Sequence, residues 1–234
     1  MFANVPNHEP SLMLMNTGAE RVNLVRPSMG SWVTYGLGTE NENLPGFVTL
    51  TPPSGFGGAQ NYGSAFLPAI YQATRIGADN RPIAGAEVRN LETQLGPQAQ
   101  RAELELIQSL NREKLARNVH NPIVEAAIEN YELAFRMQEA VPGVMDPSRE
   151  TPATLALYGI NESPTDGFGR QCLLARRFAE AGVRFIELGH GSWDQHSNIK
   201  TALAENCAKT DKPIAGLLAD LKQRDLLKDT LIIW

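Results

Sequence analysis

Apolar positions along this chain change period several times, and each change marks an element. From residue 169 the period is helical: in 169–181, Cys172, Leu173, Ala175 and Phe178 share one face. Gly182 closes that helix, and residues 183–188, "VRFIEL", read as a strand. Residues 199–209 are helical again. Asp211 is placed to cap a further helix, with Pro213 in its first turn, running to Arg224. "LLKDTLIIW" (226–234) reads as the next strand. The order helix, strand, loop, helix, strand predicts an α/β fold with a mostly parallel sheet between helices.

The amino-terminal part is patterned more loosely. Residues 10–17 predict a short helix, with Pro10 in its first turn and Gly18 just past its end. Residues 26–38 predict another, capped by Ser28, with Trp32, Val33 and Leu37 as its apolar face. The β-branched stretch 44–52 is a strand, stopped by Pro52 and Pro53. A glycine-rich loop follows; it lacks the Gly-x4-Gly-Lys-Ser/Thr pattern of a phosphate cradle. Residues 65–77 suit a strand or a short helix, and 78–98 read as a polar surface excursion. Two helices are expected at 98–117 and 122–140, the second opened by Pro122 and stopped by Pro142-Gly143. Residues 75–150 thus read as a helical and loop insertion within one domain spanning 1–234.

Composition narrows the function classes. At 234 residues and 42% hydrophobic content, one sizeable core is affordable without a second domain. A net charge of -5 without a Lys/Arg stripe argues against a nucleic-acid partner. No apolar run approaches the roughly 18 residues of a transmembrane helix. Cys172 and Cys207 both lie in helical patterns and read as half-buried thiols, not as a disulfide framework. The first residues carry no signal-peptide pattern. The final apolar run stops at Trp234 without the loop that should follow a strand, so the chain reads as a fragment.

Chemistry concentrates in "GHGSWDQHSN" (189–198), which holds two of the four histidines. Functional loops in open α/β sheets leave the carboxyl ends of strands, and this loop leaves Leu188. In an extended Asp-x-His, both side chains point to the same side. Asp194 and His196 can therefore share one divalent ion, of which Zn, Ca, Mg and Mn are all candidates. His190 joins them only if the loop folds back. Ser192, Ser197 and Asn198 are placed to orient the ligands. The plain alternative is that Asp194 caps a turn and the histidines are solvated. A second cluster, His8 and Glu9, stands before a helix amino terminus, where free amides favour a phosphate or sulfate anion, with Asn7 and Ser11 beside it. There the plain alternative is that Asn7 caps the helix and His8 is a surface residue.

At these residues the chain resembles a known group. "HEPSLMLMNTG" has the register of the sulfatase signature C-x-P-S-R-x-x-L-x-T-G: Pro10, Ser11, Thr17 and Gly18 match, while His8 replaces the nucleophile-forming cysteine and Leu12 the arginine. "SWDQHSN" followed by "DKPIAGLLADLKQRDLLKDTLIIW" is similar to the metal-pair, helix and strand run of the same superfamily. "RPSMGSWVTYGLGTENENLPGFVTL" (26–50) resembles a bacterial family of sulfatase-like proteins described only as a domain of unknown function.

The resemblance implies an alkaline phosphatase-like three-layer sandwich, incomplete at both ends. It also implies a metal-dependent hydrolase of sulfate or phosphate esters acting on a small molecule or glycan. His8 would stand near the nucleophile position. The nucleophile and an acidic metal ligand are expected before Met1, and further ligands after Trp234, leaving the chain alone inactive. Export to the periplasm is the family expectation, with the cytoplasm as alternative. The replaced cysteine and arginine equally suit a non-catalytic protein that binds an anionic glycan or a partner. A structural domain without a site is a third reading. The distance from His8 to Asp194 and His196 separates them: a site requires roughly 10 Å or less, a metal plus one bridging anion.

Overall fold

A strand buried on both faces needs apolar or small side chains at every position, and "FVTL" supplies them. In the computed structural model, which describes residues 6–20, 24–78, 83–86, 95–117 and 122–234, it forms β1 (Phe47–Leu50), buried throughout. β1 is the centre of a three-stranded sheet in the order β2-β1-β3, with β2 at Thr74–Ile76 and β3 at Phe185–Leu188. Both pairings are parallel, with Val48 opposite Thr74 and Ile186. The expected α/β class and parallel sheet are therefore present.

Helices cover both faces. Val48, Leu50, Ile76 and, in part, Ile186 and Leu188 pack with Leu174, Ala175 and Phe178 of α6 (Asp166–Glu180) and with Met137 and Val141 of α4 (Pro122–Met145). On the other face, α2 (Met29–Leu37) lies against Phe47 and Phe185. It lies so close that a Cβ on Gly30 would meet their rings at 2.6–2.7 Å. This contact reverses the face expected for α2. Gly30, Ser31 and Thr34 are buried, while Trp32 and Leu37 are exposed, because only a small-residue face fits over two phenylalanines. Ser28 does cap α2, accepting from the Ser31 amide at 3.3 Å.

Helix α1 (His8–Thr17) starts two residues earlier than expected and ends on Gly18 in the left-handed region, φ 71°. The segment 65–77 holds a single 3-10 turn at Ala69–Tyr71 before β2. Most of the excursion at 78–98 lies outside the described residues. Helix α3 (Pro97–Arg117) packs on α4, where the buried Gln108 donates to the Ile128 carbonyl at 2.8 Å. A short α5 (Pro152–Leu157), capped by Thr151, leads to α6. Cys172 is buried within α6, its thiol pushed up to about 12 by burial, and neither cysteine is in a disulfide.

Three further elements differ from expectation. α4 runs through Pro142 to Met145, because Val141, Val144 and Met145 keep packing on the core and Arg177 donates to the carbonyls of Gly143 and Val144. α7 (Ile199–Gln223) is one helix, with Asp211 exposed in its middle instead of at a cap. Asn206, Thr210, Pro213, Gly216 and Asp220 form one buried stripe across the proline. That continuous packing outweighs the roughly 3 kcal/mol a mid-helix proline costs. The expected last strand is not a strand: Leu227–Asp229 form a 3-10 turn, Thr230 Oγ1 bonds back to the Leu226 carbonyl, and 230–234 join no ladder, with Leu231 and Trp234 exposed.

Under α2, Thr49 and Glu187 face each other across β1 and β3 beside a cavity of about 40 Å³. Neither Thr49 Oγ1 nor Glu187 Oε2 makes a formed hydrogen bond among the described residues. Burial pushes the Glu187 carboxyl up to about 7, against a weaker pull from the neighbouring Thr49 hydroxyl. A raised carboxyl pKa means that the folded state holds its proton longer than the unfolded chain does. Stability is then highest below the ordinary carboxylate range and falls as pH rises toward 7. Glu187→Gln is expected to raise stability at pH 8 by about 2–3 kcal/mol and to change it little at pH 4, measured by urea unfolding at the two pH values.

Candidate metal centre

Loop 189–198 begins where β3 ends, at the carboxyl edge of the parallel sheet, and its root is pinned to β1. The Gly189 amide donates to the Leu50 carbonyl at 2.9 Å, and Thr51 Oγ1 donates to the Gly189 carbonyl at 2.9 Å. The strands approach so closely that a Cβ on Gly189 would sit 2.4 Å from the Thr51 carbonyl oxygen. Thr51 itself has φ 50°, a rare conformation for a β-branched residue, at the same edge. Further along, Ser192 (φ 68°) offers its carbonyl to Gln195 Nε2 at 2.7 Å and to Asn206 Nδ2 of α7. The loop is thus tied to a strand at its root and to a helix at its middle.

Between these ties and α7 stand Asp194 and His196. Asp194 Oδ2 lies 2.5 Å from His196 Nε2 and 2.7 Å from His8 Nε2. One ligand atom from each of the three lies within 4.8 Å of the others, and all three side chains are exposed. The two clusters singled out in the sequence are therefore adjacent, well inside the separation a single site requires. His8 is the first residue of α1, and its ring rests against Phe56 at 5.3 Å between centroids. Phe56 is held there by Asn61, whose Nδ2 donates to the Phe56 carbonyl at 2.9 Å and whose Oδ1 accepts from Asn16 of α1 at 3.2 Å.

Partial desolvation alone would raise the Asp194 carboxyl. The His8 hydrogen bond and the nearby imidazoles outweigh it and hold the carboxyl below the usual carboxylate range. Asp194 thus stays an anionic ligand. Two imidazole nitrogens and a carboxylate oxygen are a donor set suited to zinc or manganese. Donors around a tetrahedral ion stand roughly 3.4 Å apart, so the present 2.5 and 2.7 Å contacts are hydrogen-bond distances that exposed side chains can open to admit an ion.

His190 is not among the clustered ligands. His190 does not fold back; its ring packs between Phe168 (5.3 Å) and Trp193 (5.6 Å), and Nδ1 is buried without a partner among the described residues. Burial, helped by the charge of Lys209, pushes its pKa down against the Gly191 backbone contact, so it is a neutral imidazole. Asn7 occupies the cap position of α1 without a side-chain cap bond, and its carbonyl accepts the Ser11 amide at 3.2 Å.

The model of one family, described as Protein of unknown function (DUF1501), matches residues 1–234. The chain belongs to the DUF1501 family. No curated protein and no solved structure matches it. In this DUF1501 chain, sequence reasoning passed over Phe56, Thr51 and Asn206. Their only signal is indirect: a bulky aromatic in a glycine-rich loop, a threonine closing a strand, and an asparagine on a buried helix stripe.

Gly189→Ala is expected to cost about 1–3 kcal/mol, because the methyl forces apart the two strand ends that seat the loop. Thermal unfolding checks the loss. Gly191→Ala, where a Cβ meets nothing within 4 Å, is expected to be near neutral.

Proposed function

We propose that His8, Asp194 and His196 bind one divalent ion, zinc or manganese, and that the site serves hydrolysis of a sulfate or phosphate ester in the full-length protein. The observation that carries this reading is the meeting of His8 with an Asp-x-His pair 186 residues away, with three ligand atoms within 4.8 Å. Calcium and magnesium prefer all-oxygen shells, so the two imidazoles favour the softer ions. The resemblance of residues 7–18 and 192–234 to sulfatase-like segments supports ester hydrolysis. Parallel pairing, helices on both sheet faces and a site at the carboxyl edge support an alkaline phosphatase-like sandwich.

In this reading the chain's residues have separate tasks. Asp194 supplies the negative charge and remains ionised at neutral pH. His8 is a ligand in place of a nucleophile, its ring oriented by Phe56. His8 is itself the first residue of α1, so the positive end of the helix dipole lies beside the ion and favours the anionic group of an ester. The Gly189–Thr51 contact and the Asn206–Ser192 bond hold Asp194 and His196 within reach of α1. A bound divalent ion supplies Lewis-acid polarisation of the ester's oxygens.

Metal content and turnover of aryl sulfate and aryl phosphate are to be measured on the full-length protein and on Asp194→Ala/His196→Ala. The expected result is about one ion per protein, lost in the double variant together with at least tenfold of the turnover. Unchanged metal content in the variant would remove the assignment. Metal without turnover of either ester would leave a binding protein for an anionic glycan and remove the hydrolase.

A further inference from the structure

We infer that the chain carries a second site, an oxyanion pocket at the opposite edge of the sheet from the metal cluster. A cavity of about 400 Å³ opens where α6 ends, just before β3 begins, and is lined by Arg149, Arg176, Arg177 and Arg224 together with Glu150 and Glu180. Four guanidinium groups and two carboxylates line it, and Asp220 behind the wall pairs with Arg176 and Arg224, which leaves one net positive charge here in a chain whose net charge is -5. A cavity of this size falls in the range that holds a small organic molecule.

The arginines divide into a scaffold and a reader. Arg176 is fully buried and held from three sides: its Nη1 donates to Glu180 at 2.6 Å, its Nη2 lies 2.7 Å from Glu150, and its Nε lies 2.9 Å from Asp220. Asp220 also accepts from the buried Tyr158 hydroxyl at 2.8 Å. Arg177 is committed to the Gly143 and Val144 carbonyls and to Glu150. Arg224, one-third exposed, donates to Asp220 at 2.7 Å and to Glu180 at 3.3 Å. Arg149 is different. It is exposed at the cavity wall and, among the described residues, makes no hydrogen bond or ion pair within 4 Å, its charged neighbour being Asp146, which its charge helps keep ionised.

A guanidinium presents five N–H donors in a rigid fork that matches a phosphate or carboxylate. Arg149 brings a complete fork, whereas Arg224 belongs to the scaffold, its Nε, Nη1 and Nη2 lying 2.7, 3.3 and 3.7 Å from Asp220, Glu180 and Glu150. The scaffold is rigid because breaking a buried ion pair leaves an uncompensated charge, so the wall cannot collapse onto Arg149. The ligand class that fits is a small organic molecule bearing a phosphate or carboxylate group. Bare phosphate is smaller than the cavity and serves as the minimal probe, and citrate as the larger one.

The test is thermal unfolding of the whole chain titrated with sodium phosphate, then with citrate, at constant ionic strength. Enough chelator is added to keep divalent metals from the His8 cluster. The expected result is a saturable rise in Tm with both anions, citrate reaching half-effect at the lower concentration. Arg149→Ala is expected to shift the half-effect concentration upward at least fivefold, while His8→Ala leaves it unchanged. A rise without saturation, or the same half-effect concentration in Arg149→Ala, would overturn the pocket. Tighter binding of phosphate than of citrate would overturn its assignment to an organic ligand.

Discussion

The parallel pairing of β1 with β3 joins segments 138 residues apart, and the rest of the molecule is arranged around it. It brings Gly189 against Thr51 with no room for a side chain between them, so the chain leaving β3 has one exit. That exit points the 189–198 loop toward the start of α1. The pairing also fixes the two faces. Phe47 and Phe185, packed edge to face, form the aromatic floor for Gly30, and Val48, Leu50 and Ile186 form the wall on which α4 and α6 pack. Hydrophobic burial on both faces is what holds a central strand in register. The site inherits its precision from that register.

A second constraint sits at the amino edge of the sheet. Arg176, buried among Glu150, Glu180 and Asp220, links α6 to α7 and to the segment before α5. Such a network contributes little net stability over an apolar replacement, but losing one partner is costly. It therefore fixes geometry: α6 and α7 cannot slide along each other without separating charges. The carboxyl edge is built differently. There His8, Asp194 and His196 are exposed and held mainly by their backbones, which leaves the ligand atoms free to move a fraction of an ångström toward an ion.

Much of this was legible in the sequence, and for identifiable reasons. The helical period of 169–181 and the strand at 183–188 were clear because one face of each is apolar at regular spacing. Asp194 and His196 stood out because their spacing places them on one side of an extended loop. The apolar residues of α2 misled, since Trp32 and Leu37 are exposed and the helix is seated by Gly30 instead. Pro142 misled as a helix stop and Pro213 as the first turn of a new helix, because tertiary packing on both sides of each proline outweighs its local cost. His190 was indistinguishable in sequence from its neighbours. Only the ring packing of Phe168 and Trp193 separates it from the cluster. Most of the Arg176 network was invisible: Glu180 stands one turn away on the same helix, but Glu150 and Asp220 come from two separate stretches that no local period connects.

The central claim is that His8, Asp194 and His196 together make a metal centre. Anomalous diffraction from crystals grown with zinc, and separately with manganese, tests it directly. The account predicts a single strong peak about 2.0–2.2 Å from His8 Nε2, His196 Nε2 and Asp194 Oδ2. A map without a peak between these three atoms, with His8 still hydrogen-bonded to Asp194 at saturating metal, would contradict it.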